Sequence, residues 1–181
     1  MPDLSRPDVA VRLRRATPSD ASPLSTLAAR LFEQAFGAAN SPDDMRDYLA
    51  AAFSADAQRD ELADAERVVW IAEDATAAAI GYAALRRGSA ASGVAGARPA
   101  EIERIYADRA WHGRGVGDTL MRACVDQARA WKCDAIWLGV WERNPRAIAF
   151  YEKNGFRGVG SQTFRLGRDV QTDIVMARGL D

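Results

Sequence analysis

Hydrophobic and polar residues alternate with two different periods along this chain, and the switches between the periods mark its elements. Val11 and Leu13 stand against Arg12 and Arg14, so residues 9–15 read as a strand. Thr17-Pro18-Ser19-Asp20 has the makeup of a helix start. Leu24, Leu27, Leu31, Phe32 and Phe36 follow at three-to-four spacing, which predicts a helix with one apolar face. Residues 37–40 interrupt it. Ser41-Pro42-Asp43-Asp44 then supplies an N-cap, a proline and two carboxylates in a first turn, opening a helix whose stripe is Met45, Tyr48, Leu49, Ala52 and Phe53. The polar stretch 55–66 reads as the end of that helix and a loop.

Strand patterns return at residues 67–73 and 79–86, a hairpin pair in which Gly81 marks a bulge or a close approach. Residues 88–99, GSAASGVAGARP, have no period and read as a flexible loop inside one domain, since neither flanking half would own a complete sheet. Residues 101–106 alternate again, with Ile102 and Ile105 as apolar anchors. Val116, Leu120, Cys124, Ala128 and Trp131 predict a helix, and residues 134–141 a strand with Ile136, Leu138 and Val140 on one face and Trp137, Gly139 and Trp141 on the other. Strand, helix and strand in this order imply a right-handed parallel crossover, with a ligand at the carboxyl end of the first strand. Asn144-Pro145 caps a short helix that Gly155 ends, and residues 156–164 and 170–177 form a last hairpin around Gly167.

Composition narrows the picture. A chain of 181 residues with 48% hydrophobic content suits one domain, expected over residues 9–181 behind a loose tail at 1–8 that carries Pro2 and Pro7. The net charge of −1 shows no global basic excess, so neither nucleic acid nor membrane is expected as a partner. The absence of a long apolar run and of a signal-peptide core makes a soluble cytoplasmic protein the expectation. Cys124 and Cys133 form no recognisable framework and read as structural thiols, and with His112 the only histidine there is no ligand set for a metal such as zinc. That histidine would have to leave a glycine turn to serve a nucleophilic triad, which disfavours hydrolase chemistry.

The turn itself, His112-Gly113-Arg114-Gly115-Val116-Gly117, is the centre of the chain. Glycines at every second position let backbone amides approach a ligand, and the helix that starts there adds free N–H donors and positive dipole, the form of a pyrophosphate cradle. The spacing lacks GxxxxGK[ST], and Asp118 stands where GxGxxG needs its third glycine. It resembles instead the acyl-CoA loop of the GCN5-related N-acetyltransferases (GNAT), Gln/Arg-x-x-Gly-x-Gly/Ala, with His112 in the Gln/Arg position. NPRAIAFYEKNGF, residues 144–156, is similar to the second signature of that family at every fixed position. The stretches LFEQAFGAANSPDDMRDYLAAAF and LGVWERNPRAIAFYEKNGFRGVGSQTFRLGRDVQTDIVM resemble in particular its PaiA-like polyamine acetyltransferase branch, so that the likeness runs from about Val9 to Met176.

That resemblance implies an α/β (α+β) GNAT fold: a mixed, mostly antiparallel seven-stranded sheet, flanked by helices, with a V-shaped parallel split between the fourth and fifth strands. It implies acetyl-CoA as cosubstrate and direct attack by an amine in a ternary complex. A polyamine such as spermidine or spermine leads, against a peptide N-terminus, a lysine or an amino acid. The rival from another class is a non-catalytic acyl-CoA-binding sensor. The backbone of Ile105, Tyr106 and Ala107 would bind pantetheine, and the turn from His112 through Gly113, Arg114, Gly115, Val116 and Gly117 to Asp118 the pyrophosphate. Asn144 would contact pantetheine or the acceptor, and Lys153 the 3′-phosphate. Tyr151 is the expected general acid and Glu103 the expected base, with Glu101 or a water relay as competitors. Glu33, Asp43, Asp44, Trp70, Tyr82 and Trp141 are the candidates for acceptor binding, through charge or cation–π attraction. Similar proteins are commonly dimers, so a homodimer is an open expectation.

Overall fold

A computed structural model describes residues 11–180; the expected tail at 1–8 and the start of the first strand lie outside the described residues. The elements are β1 (Arg12–Arg15), α1 (Ala21–Phe36), α2 (Pro42–Ala52), α3 (Ala55–Ala63), β2 (Arg67–Glu73), β3 (Ala79–Arg87), β4 (Pro99–Ala107), α4 (Val116–Ala130), β5 (Ala135–Trp141), α5 (Pro145–Lys153), β6 (Arg157–Leu166) and β7 (Asp169–Gly179). They build one seven-stranded sheet of order β1-β2-β3-β4-β5-β7-β6. Among the described residues only β4 and β5 pair in parallel, as the expected GNAT fold requires.

Residues 55–66 depart from expectation. The helix expected to continue there stops at Phe53, and Ser54 caps a separate helix by accepting a hydrogen bond from the Ala57 amide at 3.1 Å. The weakly amphipathic sequence of α3 hid it. The loop at 88–99 is tethered rather than free. The Asp134 carboxylate accepts from the amides of Ala97 and Arg98, and the Trp137 indole donates to the Ser89 carbonyl at 2.8 Å.

Each face of the sheet carries its own core. Trp70, Ala83, Leu85, Ile136 and Leu138 pack with Leu120, Met121 and Cys124 of α4 on one side. Val69, Ile71, Tyr82 and Ala84 pack with Leu24, Leu31 and Phe32 of α1 on the other. Strands β2 and β3 are buried on both faces, which is why their sequences read as nearly continuous apolar runs.

The feature that positions the site is the parting of β4 from β5. They pair only at Pro99–Ala135, Ala100–Ile136 and Glu101–Trp137. Along β3 the pairing of β4 slips between Ala84 and Leu85, leaving Glu103 as an extra residue. Such a bulge bends its strand and raises the local twist, here just past the last contact with β5. Beyond Glu101 one edge of β4 therefore has no neighbouring strand to take its hydrogen bonds.

Gly81 holds the far end of β4 in place. A β-carbon there would lie 2.8 Å from the Tyr106 carbonyl oxygen and 3.1 Å from a Val116 methyl group. We expect Gly81→Val to push β4 and α4 away from β3 and to cost about 1–3 kcal/mol of stability, measured by chemical unfolding. Parent-like stability would contradict the close approach.

Candidate active site

The opening between β4 and β5 is a cleft of about 720 Å³ that passes from the α4 face of the sheet to the α1 face. At its α4 end the chain leaves β4 through Asp108, turns at Gly113 (φ +74°) and Gly115 (φ +81°), and enters α4. Both glycines occupy left-handed backbone that side chains disfavour, with open space where a β-carbon would stand. Gly115 is the N-cap, so the amides of Val116, Gly117 and Asp118 have no acceptor within their helix. Open space, free N–H groups and helix dipole together suit a phosphate-bearing ligand.

His112 lies at the rim of this turn, its Nε2 at 3.0 Å from the Ala107 carbonyl and its Nδ1 at 2.5 Å from Arg146. Partial burial, then the Arg146 charge, push its pKa down. The neutral ring thus donates from Nε2 and accepts at Nδ1, presenting Arg146 rather than its own charge. Arg114 stacks on Trp111, 5.3 Å from the ring centre, and Lys153 stands exposed at 3.5 Å from Asp118. Val116 is buried in the core, so its contribution to the turn is its amide alone.

Midway through the cleft are Asn144 and Tyr151. The Asn144 side chain caps α5 by accepting from the Ala147 amide at 3.1 Å, which fixes its orientation. Tyr151, two turns on, packs against Phe150 and Phe156 and is only 8% exposed, yet its side lines the cleft. Burial pushes its phenol pKa well above the usual value. Ile105, Tyr106 and Ala107 of β4 form the opposite wall.

The α1 end of the cleft is an aromatic chamber. Phe36 sits 6.2 Å from both Tyr106 and Trp141, and Tyr48 5.6 Å from Phe164. Of the aromatic candidates for acceptor binding, Trp141 lies here. Trp70 and Tyr82 do not, because β2 and β3 are covered on both faces and their rings are core. Glu33 and Asp43 also fall outside the cleft: Glu33 is exposed on α1, and Asp43 is exposed and pairs with Arg46 one turn on. Asp44 is drawn to the β6–β7 turn, where it accepts from the Arg168 amide at 2.9 Å.

The carboxylates that do line the cleft are mostly engaged. Both oxygens of Glu103 are taken by Arg67, at 2.9 and 3.0 Å, so the expected base is held in a two-pronged ion pair. Glu101 accepts from the Ser89 hydroxyl at 2.5 Å, and burial raises its pKa. Asp173, which the sequence reading did not single out, differs. It stands in the same cross-strand row as Trp141 and Gln162 and is 9% exposed, and no donor among the described residues bonds its carboxylate. Burial alone lifts its pKa to about 6. The available signal was Gln171 and Asp173 alternating onto the face that Val175 shares, polar groups where a buried strand needs none.

Native Asp173 keeps its proton up to about pH 6, whereas the unfolded chain loses it near 3.8. Stability therefore falls as pH rises through that window, and the loss is complete above it. Asp173→Asn should exceed the parent in stability at pH 7 by about 1–3 kcal/mol and lose this gain below about pH 4. Urea unfolding at the two pH values checks this; equal stability at pH 7 would contradict a desolvated charge.

Comparison with known proteins agrees with this geometry. The model of the acetyltransferase (GNAT) family matches residues 27–156. An uncharacterized N-acetyltransferase of Mycobacterium tuberculosis is 34% identical over 162 residues, covering 90% of this chain and 99% of that protein. A spermine/spermidine N(1)-acetyltransferase of Bacillus subtilis is 31% identical over 64 residues, 35% of this chain and 42% of that protein. In fold the chain is similar to the PaiA N-acetyltransferase of Thermoplasma acidophilum, solved in complex with coenzyme A, with TM-score 0.75, 18% identity and coverage of 94% and 99%. The chain belongs to the GNAT family of acetyltransferases.

Proposed function

We propose that this protein transfers the acetyl group of acetyl-CoA to a small primary amine, by direct attack within a ternary complex. The observation that carries the reading is a cleft running through the sheet, with free helix amides at one end, a buried phenol midway and an aromatic chamber at the other. Two substrates that enter from opposite faces meet in the gap between β4 and β5, which supports transfer without a covalent enzyme intermediate.

The amides of residues 115–118 hold the pyrophosphate, with Arg146 and Lys153 at the rim. The free edge of β4 at Ile105, Tyr106 and Ala107 bonds pantetheine as a further strand would, and one of its amides donates to the thioester oxygen as charge grows there. Tyr151 protonates the departing thiolate. The burial that makes its phenol reluctant to ionise also makes a thiolate beside it more basic, so the proton transfer stays matched. Asn144, fixed by its capping bond, orients the chain of atoms that leads to the sulfur.

A polyamine is the second reading, supported by the PaiA-like fold and by the partial match to a spermine/spermidine acetyltransferase. A sensor that binds acyl-CoA without turnover is the remaining alternative, and Tyr151 at the centre of the cleft argues against it.

The test is thiol release from acetyl-CoA with a panel of amines. Turnover with at least one primary amine is expected, and Tyr151→Phe should lower kcat about 100-fold while leaving acetyl-CoA affinity unchanged. Acetyl-CoA binding with no turnover of any acceptor would favour the sensor, and an unchanged kcat would remove Tyr151 from the chemistry.

A further inference from the structure

We infer that Asp173 seats the ammonium group of the acceptor and takes its proton before attack, which makes the preferred acceptor a compact amine with a single cation. The inference rests on the transfer proposed above and supplies the proton acceptor and substrate class that it lacks.

Three observations meet at this residue. First, Trp141, Asp173 and Gln162 lie opposite one another across β5, β7 and β6, and residues paired in this way project from one face of a sheet. Asp173 therefore shares the chamber with the Trp141 ring. Second, the strand beneath is shaped for it. A β-carbon at Gly139 would lie 3.1 Å from the Asp173 carboxylate and 2.6 Å from the Gln162 amide, so glycine is what lets these groups settle against β5. Third, the other carboxylates of the cleft are engaged: Glu103 by Arg67, Glu101 by Ser89 and Asp118 by Lys153. Asp173 is the one whose carboxylate no donor among the described residues bonds, so it is left for a second substrate.

The surroundings leave that role open to a ligand. Facing the chamber are Tyr48 from α2, Phe32, Gln34 and Phe36 from α1, and Gln162 and Phe164 from β6. From β4 come Glu101, Glu103 and Arg104, the last held by Glu61 at 2.5 and 3.0 Å. A buried carboxylate with aromatic neighbours and no cation of its own attracts an ammonium through charge and through the ring faces together. Its raised pKa makes it a base matched to neutral pH. A polyamine would bring a second cation into the cleft, where Glu103 and Asp118 already pair with cations and Glu101, bonded by the Ser89 hydroxyl, is disfavoured as an anion by its burial.

The protons balance as follows. The ammonium gives one proton to Asp173, which passes it to solvent. The neutral amine attacks the thioester carbonyl carbon, forming the C–N bond and a tetrahedral intermediate whose collapse breaks the C–S bond. The second proton, shed by nitrogen as the intermediate collapses, returns to Tyr151 and replaces the one that the phenol gives to sulfur. The products are the amide, the thiol and one proton in solution.

The experiment titrates the coenzyme A-loaded protein with 2-phenylethylammonium and with spermidine by calorimetry, for the parent and for Asp173→Asn, and records the pH dependence of kcat/KM for both. The parent's kcat/KM should rise through about pH 6, and Asp173→Asn should abolish that rise, weaken 2-phenylethylammonium binding about 100-fold and leave coenzyme A affinity unchanged. Equal affinity of parent and variant, no binding to the parent, or a variant that keeps the limb at pH 6 would each overturn the inference. Spermidine binding tenfold tighter than 2-phenylethylammonium would overturn the single-cation part. Binding that depends on Asp173 in a parent without turnover would uphold the ammonium seat and sink the transferase reading instead.

Discussion

A parallel pair of strands that ceases to be a pair is the constraint on which this molecule depends. β4 and β5 share three rows of residues and then diverge, and a bulge at Glu103 turns β4 away at that point. Buried backbone groups without partners are costly, so the divergence is tolerable only where a ligand or water completes the ladder. The parting thus creates a demand for an extended, hydrogen-bonding guest and leaves a hole in the sheet through which that guest can meet a second one.

The two sides of the hole differ in kind. On the α4 side the recognition elements are backbone: amides of a helix start, glycines in left-handed conformations and a strand edge. These suit phosphates and amide groups, which present a repeated chemistry. On the α1 side they are side chains, aromatic rings and the unpartnered carboxylate of Asp173, which suit a particular guest. Keeping Asp173 ionised there opposes folding, and retaining such a group at the expense of stability is what a binding or reacting role would explain.

Much of the fold was legible because its determinants are local. The glycine turn, the Asn144 and Ser41 caps, and the period changes at residues 67, 101 and 116 each sit within a few residues of the structure they specify. The turn and the strand edge that line the α4 side of the cleft were legible for the same reason, since both are continuous segments. The α1 side was not. Trp70 and Tyr82 belong to strands buried on both faces, so alternation could not say which side faced a cleft. Glu103 looked free because its partner, Arg67, is 36 residues away in sequence. Asp173 reaches the chamber only through the pairing of β5 with β7 and the glycine at position 139 beneath it. The α3 helix was missed because its register carries little apolar contrast.

If the unpaired edge of β4 and the first turn of α4 are where acetyl-CoA docks, the ligand must shield both. Amide hydrogen exchange, residue by residue, tests it most directly. Adding acetyl-CoA should slow exchange at amides within residues 102–107 and at Gly113–Asp118, while the amides of β1 and β2 stay unchanged. Protection confined to other segments, with both of these regions exchanging as before, would contradict the account.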